Sequence, residues 1–360
     1  MFRTQKKQYV EQKFGGILPL EIIIDTKTIN GSLAPNFLQS VQTFKDIITQ
    51  IPEIKTAITP GDYLKLVNED IKEPKDDEVR INVKALGLNQ AEVMLREGRY
   101  VASPNFPARI GIEASGIIDS IGNNVSSFKK GDSVCAIPFL SWNKNDYWTA
   151  DSINDYGVYG DTAIVPAWTI AKKIESQSYE EAAAIWAQYL TAWGGLVYNS
   201  NIEKRNCCIF TGASSSAAIG GMQIVKSFGL KAYAISRTLA KKEKLINIGY
   251  DDVLSLTDPK LEENIMDLTN GIGFDLAYDC VGGEYFINLV NTAKARGLIV
   301  NYGNLNNNAS DIKTLPLLSK RIHIRFHSIF DTMRFQNQRE EGIAWVNRKP
   351  VCVSVFQNGF

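Results

Sequence analysis

Short apolar strands alternate with amphipathic helices along the second half of this 360-residue chain. The predicted strands are residues 206–210, 231–236, 274–279 and 298–303, and the predicted helices between them run to residue 228, to residue 249, over 260–271 and over 284–297. Consecutive parallel strands need a crossover connection of roughly a dozen residues or more, which a helix supplies. The alternation therefore predicts an α/β fold, with a doubly wound parallel sheet that carries helices on both faces.

The segment before it, residues 53–175, has a different periodicity. Apolar and polar residues alternate there in short runs that are bounded by Gly, Pro, Asn or Asp, and the pair Gly131-Asp132 is one such turn signal. This pattern predicts an all-β, barrel-like module. Near residue 176 the period changes to that of a helix, and Ser178 with Glu181 forms a capping box at its start.

Composition excludes several classes of partner. The chain has 39 Lys and Arg against 39 Asp and Glu, so its formal net charge is zero and nothing favours nucleic acid or an anionic membrane. No apolar run approaches the roughly 18 residues of a membrane-spanning helix. The five cysteines form neither a disulfide framework nor a Cys-x-x-Cys metal motif, and we expect a cytoplasmic protein.

A turn of small residues follows the strand at 206–210. The usual dinucleotide pattern G-x-G-x-x-G/A is represented by Ala213, Ser215 and Ala218, which are small but not glycine. Small residues there let the backbone approach a pyrophosphate at the start of the next helix. The pattern indicates a dinucleotide site, with a plain strand–turn–helix capped by serine as the alternative.

The end of the next strand indicates which dinucleotide. Ser236 lies 23 residues after Ala213, near the offset at which the adenosine ribose is bound. A carboxylate, which would accept the ribose hydroxyls of NAD(H), is missing, and Arg237 and Lys241 follow instead. These cations favour a 2′-phosphate and hence NADP(H), although the lysines could also form the solvated face of a helix.

Several longer motifs occur together over residues 55–345. They are VKALGLNQAEVMLREGRY, FPARIGIEASGIIDSIG, FKKGDSV, GVYGDTAIVPAWTIAKKI, AAAIWAQYLTAWGGL, TGASSSAAIG and YDCVGG. In this order they resemble the medium-chain dehydrogenase/reductase superfamily, in its zinc-free, quinone oxidoreductase-like branch. The resemblance implies a GroES-like β-barrel domain, a Rossmann domain and a catalytic cleft between them. We therefore expect an extension at 1–52, a GroES-like domain at 53–175, a Rossmann domain at 176–310 and a C-terminal return segment at 311–360.

The resemblance also implies roles for individual residues. Asn89 and Tyr100 match positions beside the nicotinamide and the substrate, and Thr191 matches the residue at the carboxamide. Alternatively, Asn89 caps a helix, Tyr100 packs in the barrel and Thr191 lies inside a helix. The implied cofactor-binding residues are Thr191, Ala213, Ser215, Ser216, Ala217, Ala218, Ser236, Arg237, Lys241, Tyr302 and Gly303. Two departures, Met94 and Leu256, replace tyrosines that many relatives carry.

A catalytic zinc needs sulfur or imidazole ligands at three places in this superfamily. The residues found there are Leu88-Asn89, Gly111-Ile112-Glu113 and Ala187-Gln188. The two histidines, His323 and His327, lie far downstream in a run that alternates like a strand. We therefore expect no metal.

Without a metal, hydride transfer relies on orientation and hydrogen-bond donors, which suits activated double bonds. The leading hypothesis is an NADPH-dependent oxidoreductase that reduces quinones, enones or similar small molecules, as a homodimer. A non-catalytic NADPH-binding member of the same superfamily is the alternative, and the missing ligands argue against a zinc alcohol dehydrogenase.

The two ends of the chain depart from the superfamily pattern. The segment after residue 335 is some tens of residues short, and residues 1–52 are additional. Ile22, Ile23, Ile24 and Ile29 could supply a strand that covers the exposed sheet edge, or the extension could be loosely attached. Both arrangements stay open at this point.

Overall fold

The computed structural model describes residues 43, 73–102, 108–141, 155–306 and 308–348, with side chains up to residue 347. The chain divides into two compact units, residues 1–70 and 71–360, and the sheets and helices that follow belong to the second. The proposed covering strand within 1–52 and the last residues of the return segment lie outside the described residues.

Five antiparallel strands form a curled sheet in the order β4-β1-β2-β3-β5. They are β1 Glu78–Leu86, β2 Ala114–Ile121, β3 Ser133–Ala136, β4 Thr162–Pro166 and β5 Ile170–Lys172, with helix α1 Gln90–Arg96 between the first two. Val79, Ile81 and Ile118 alternate inward and form its core. The curled antiparallel sheet is consistent with a GroES-like domain and confirms the predicted barrel-like module, although helix α1 departs from the all-β prediction.

One glycine allows the two longest strands of this sheet to approach each other. A Cβ at Gly116 on β2 would lie 2.3 Å from the backbone oxygen of Asn82 on β1. Such a distance is impossible without a backbone shift, so the β1–β2 pairing requires glycine at this position.

Two short helices and a π-helical turn connect the sheets. Helix α2 Tyr179–Ala183 begins at the predicted cap Ser178, whose hydroxyl accepts from the backbone N–H of Glu181 at 3.1 Å. Helix α3 Trp186–Ala192 continues directly into the π-helical turn Trp193–Tyr198. The predicted helical segment is therefore present, but it is broken into three parts.

Six parallel strands form the second sheet, in the order β11-β10-β9-β6-β7-β8. They are β6 Cys207–Thr211, β7 Lys231–Ser236, β8 Asp252–Ser255, β9 Phe274–Asp279, β10 Ala293–Asn301 and β11 His323–Phe326. The helices are α4 Ser216–Ser227, α5 Lys242–Asn247, α6 Leu261–Leu268, α7 Phe286–Thr292, α8 Thr314–Lys320, α9 Ile329–Arg334 and α10 Gln336–Arg348. The strand order reverses beside β6, which confirms the doubly wound α/β prediction.

Two local predictions differ from the structure. The helix expected over 284–297 ends at Thr292, and β10 begins at Ala293 because pairing with β9 overrides the helical propensity of AKARG. Arg296 takes a positive φ of 63° within that strand. The sequence pattern also did not predict strand β8, which is only four residues long and half polar.

No helix within the described ranges is both long and apolar enough to cross a membrane.

Candidate functional site

The turn between β6 and α4 lies at the carboxyl edge of the parallel sheet. Gly212 has a φ of +54°, and a Cβ there would lie 2.6 Å from the sulfur of Cys280. Ala213 is fully buried, and the Ser215 hydroxyl accepts from the backbone N–H of Ala218 at 3.3 Å. The turn is therefore a close-packed cradle of small residues at the start of a 12-residue helix. A pyrophosphate site needs small residues of this kind, because the backbone must approach the ligand closely at a helix N-terminus.

The Tyr250 side chain contacts this turn through hydrogen bonds to its backbone. Its buried hydroxyl lies 3.0 Å from the carbonyl oxygen of Ala213 and 3.2 Å from that of Ala218. Burial raises its pKa well above the ordinary value, so the hydroxyl remains a donor at neutral pH. Neither Gly212 nor Tyr250 was among the site residues predicted from the sequence. The sequence signal that indicates Gly212 is a glycine that directly follows a buried strand.

The ends of β6, β9 and β10 are joined beside the turn. The Thr211 hydroxyl donates to the Asp279 carboxylate, which also accepts from the Asn301 amide at 2.7 Å. The ring of Tyr302 stacks on Tyr278 with centroids 3.9 Å apart. The Tyr302 hydroxyl lies 3.5 Å from that of Ser215. The structure thus brings Tyr302 and the neighbouring Gly303 close to the predicted phosphate turn.

The predicted 2′-phosphate residues lie at the next strand end. Ser236 ends β7, and the hydroxyls of Ser255 and Thr257 donate to the Arg237 carbonyl at 3.2 and 3.3 Å. Lys241 is half-buried and ends a 3-10 turn, Leu239–Lys241. These residues therefore form one polar corner next to the turn after β6. The following Lys242 pairs with Asp252 at 2.8 Å.

Asn89 and Tyr100 lie on the GroES-like side. Asn89 is the N-cap residue of α1, and its side-chain amide donates to the Glu113 carboxylate at 3.1 Å. Tyr100 borders a pocket that Phe139 and Tyr156 also line, and its ring meets Phe330 edge-on. Burial raises the Tyr100 pKa, so its hydroxyl stays protonated at neutral pH.

Thr191 lies in the helix that links the two sides. Its hydroxyl donates to the Ala187 carbonyl one turn earlier in α3, and the oxygen keeps lone pairs for another donor. Helix α3 packs on α4, whose first residues Ser216, Ala217 and Ala218 follow the turn. The structure therefore connects Thr191 to the cradle through helix packing.

Two buried carboxyl groups and one buried imidazole near the site also have shifted pKa values. Burial raises the pKa of Glu113 to about 7, against hydrogen bonds from Ala187 and Asn89 that lower it. Burial also raises the pKa of Glu92. For His327, burial lowers the pKa to about 4, so the imidazole is neutral at neutral pH.

The three places compared with zinc ligands hold Asn89, Ile112 and Gln188. Gln188 is buried, and its amide oxygen has no hydrogen-bond partner among the described residues. Within the described ranges, no group of three His, Cys, Asp or Glu side chains is arranged to hold a metal ion.

Two family profiles match the chain. The alcohol dehydrogenase GroES-like domain matches residues 75–175, and the zinc-binding dehydrogenase domain matches residues 218–348. The three places compared with zinc ligands all lie before the second match.

Curated and solved proteins that are similar to this chain are oxidoreductases by name. Quinone oxidoreductase from Homo sapiens is 28% identical over 203 residues, which is 56% of this chain and 57% of the relative, so the chain spans less than two thirds of that protein. A crystal structure of an NAD-dependent alcohol dehydrogenase is 26% identical, with a TM-score of 0.66 over 77% of this chain and 84% of that one. Quinone oxidoreductase from Escherichia coli, solved as a complex with NADPH, has 22% identity and a TM-score of 0.69, covering 80% and 83%. The fold, the two consecutive family matches and these relatives together show that the chain belongs to the medium-chain dehydrogenase/reductase superfamily.

Proposed function

We propose that this protein is an NADPH-dependent oxidoreductase that reduces quinones, enones or similar activated double bonds without zinc. The observation that carries the proposal is the cradle after β6, where the small residues Gly212, Ala213 and Ser215 lead directly into the start of α4. It lies where the strand order of the parallel sheet reverses, the usual position of a nucleotide in this class of fold.

Arg237 and Lys241 are the residues that would bind the 2′-phosphate. They stand at the end of β7, and no carboxylate occupies the position of Ser236 to accept a free ribose. This difference supports NADP(H) over NAD(H). The relatives leave the choice open, since one solved neighbour is described as NAD-dependent and another as an NADPH complex.

NADPH, when bound, supplies the hydride. Thr191 would hold the carboxamide end through its hydroxyl oxygen. Asn89 has a second amide hydrogen besides the one that it donates to Glu113, and Tyr100 keeps its hydroxyl proton. Both side chains would donate to the acceptor's oxygen as negative charge develops on it. Hydrogen-bond donors of this kind replace a metal as the stabilising group.

The proposal that zinc is not needed rests on residue types. Asn89, Ile112 and Gln188 are poor ligands, because zinc in proteins is held by thiolate, imidazole or carboxylate groups. The match to a zinc-binding family covers residues 218–348 and includes none of these three positions.

Oxidation of NADPH with a panel of small quinones and enones tests the function. We expect turnover with at least one class of acceptor, and faster turnover with NADPH than with NADH. Tight NADPH binding without turnover on any acceptor would favour the alternative of a non-catalytic NADPH-binding protein. Absence of both binding and turnover would contradict the proposal.

We also propose that the protein is a homodimer. Strand β11 is the last strand of the described parallel sheet, and its Phe326 is 77% exposed. Leu315 and Leu318 on the preceding helix are also exposed. A second copy would cover this edge by two-fold pairing. Light scattering should give twice the monomer mass. Phe326→Asp should reduce this mass, whereas Ile272→Asp, at an exposed apolar site elsewhere, should leave it unchanged. A monomeric unmodified protein would contradict the dimer.

The cytoplasmic location remains a prediction, which fractionation of the source cells would test.

A further inference from the structure

One buried carboxylate contacts both sides of the candidate site. Glu113, just before β2, is only 2% exposed. One of its oxygens accepts from the Asn89 side-chain amide at 3.1 Å, and the other accepts from the backbone N–H of Ala187 at 2.9 Å. Ala187 lies one helical turn before Thr191 in α3. The Glu113 side chain therefore joins Asn89, the candidate substrate-binding residue, to helix α3, which carries Thr191.

The backbone around Glu113 is built to hold it in place. A Cβ at Gly87 would lie 2.3 Å from the Glu113 Cγ and 2.4 Å from the Ala183 carbonyl oxygen. The Gly87 N–H donates to the Glu113 carbonyl oxygen at 3.0 Å. Only glycine leaves this space, so the carboxylate is pressed between the first sheet and helix α2.

The groups that face Glu113 come from several elements. Glu92 on α1 is a second buried carboxylate, which accepts from the Asn89 backbone at 2.9 Å and the Ile112 backbone at 3.2 Å. The Tyr159 hydroxyl donates to the Gly87 carbonyl at 2.9 Å. The Cys135 thiol on β3 interacts electrostatically with Glu113, which raises the pKa of the thiol, and with Lys173, which lowers it. Glu92 is thus the charged neighbour that opposes ionisation of Glu113.

We propose that ionised Glu113 is a positioning residue, which directs the Asn89 amide toward the substrate and fixes it relative to the helix that carries Thr191. The inference rests on the proposed function and assigns the control of Asn89 to a residue outside the candidate catalytic pair. Both contacts need an oxygen that accepts. Protonation adds a hydrogen to one oxygen and weakens one of the two contacts, so Asn89 loses its fixed direction.

The first test is Glu113→Gln, which keeps the volume but leaves one acceptor instead of two. We expect kcat/KM for the acceptor to fall by about ten-fold or more while the Kd for NADPH changes less than about two-fold. In the unmodified protein kcat/KM should rise with pH through about 7, and this rise should be absent in the variant. An unchanged profile, or a loss confined to NADPH binding, would overturn the proposal.

Glu92→Gln is the matched control, because it neutralises the neighbouring acid and leaves the two Glu113 contacts in place. It should move the rise of kcat/KM to lower pH rather than remove it, since the repelling charge is gone. If Glu92→Gln abolishes the rise of kcat/KM with pH as Glu113→Gln does, the separate role of Glu113 is contradicted.

A second readout does not depend on turnover. The infrared band of protonated carboxyl groups should show a component that titrates near pH 7 and is missing in Glu113→Gln. Asn89→Leu removes a donor to the ionised form of Glu113, so it should move that midpoint upward.

The outcomes separate this proposal from the proposed function. If no acceptor is reduced but the midpoint moves, the proposed function fails and the Asn89–Glu113 coupling stands. A midpoint that ignores Asn89→Leu overturns the coupling itself. If Glu113→Gln does not fold, the midpoints of Asn89→Leu and Glu92→Gln decide the question.

Discussion

The Tyr250 hydroxyl lies 3.0 Å from the carbonyl oxygen of Ala213, in the turn that we assign to the cofactor's pyrophosphate. This contact joins the segment that follows helix α5 to the turn that follows strand β6. The shape of the proposed cradle thus depends on a side chain that follows it by 37 residues.

Replacing Tyr250 with Phe should loosen this turn. The change leaves the buried Ala213 carbonyl oxygen without this donor, at a cost of about 1–3 kcal/mol in the free energy of unfolding. The Kd for NADPH should rise several-fold because the backbone of the turn is less fixed. Denaturant unfolding and fluorescence titration measure the two effects. Tyr233→Phe removes a hydroxyl whose longer 3.4 Å contact lies elsewhere, and it should leave the Kd unchanged. Equal effects of the two variants would contradict a specific role for Tyr250.

Replacing Lys241 with Ala should reduce the preference for NADPH. A charge-assisted contact to the 2′-phosphate contributes about 1–3 kcal/mol, and NADH lacks that phosphate. The Michaelis constant for NADPH should therefore rise much more than that for NADH. Lys244→Ala, which removes a nearby exposed lysine, is the control. Equal affinity for both cofactors in the unmodified protein would disprove the assignment.

Acid should destabilise the folded protein through His327. His327 is buried with a pKa lowered to about 4, so the unfolded chain binds its proton more readily than the folded one. Stability should therefore fall as pH drops from about 6.5 toward 4, by roughly 3 kcal/mol at the limit. His327→Gln should remove this part of the pH dependence, whereas His323→Gln, at an exposed strand position, should not. Unfolding free energies measured across this range decide the matter. Identical curves for the unmodified protein and His327→Gln would count against it.

Chelation should leave activity unchanged. Asn89, Ile112 and Gln188 stand where zinc ligands would be needed, and none is a good ligand. Elemental analysis before and after dialysis against a chelator, with NADPH oxidation measured in parallel, is the check. One tightly bound zinc per chain, with activity lost on its removal and restored by its return, would overturn this prediction.

Sequence periodicity was sufficient for much of the fold. The strands at 231–236 and 274–279 occur with the predicted bounds, because a buried parallel strand is a continuous apolar run between turn residues. The segment AKARG shows the limit. Its local preference is helical, yet Ala293 pairs with Phe274 of β9, a contact that no local pattern contains.

The site was less accessible to prediction for the same reason. Small residues at Ala213 and Ser215 signal a cofactor turn because the constraint is local. The clamp of Glu113 on Asn89 and Ala187 joins residues 24 and 74 positions apart. Neither the spacing nor the residue types of these segments indicate that they meet.

Transfer of a labelled hydride shows whether this protein reduces an enone with hydride from NADPH. NADPH deuterated at the transferable position is oxidised by the protein in the presence of a small enone, and the product is examined by mass spectrometry. We expect one deuterium on the former β-carbon of the enone, since the hydride passes directly from cofactor to the activated double bond. A product without the label, or cofactor that is bound but never oxidised by any acceptor, would contradict it.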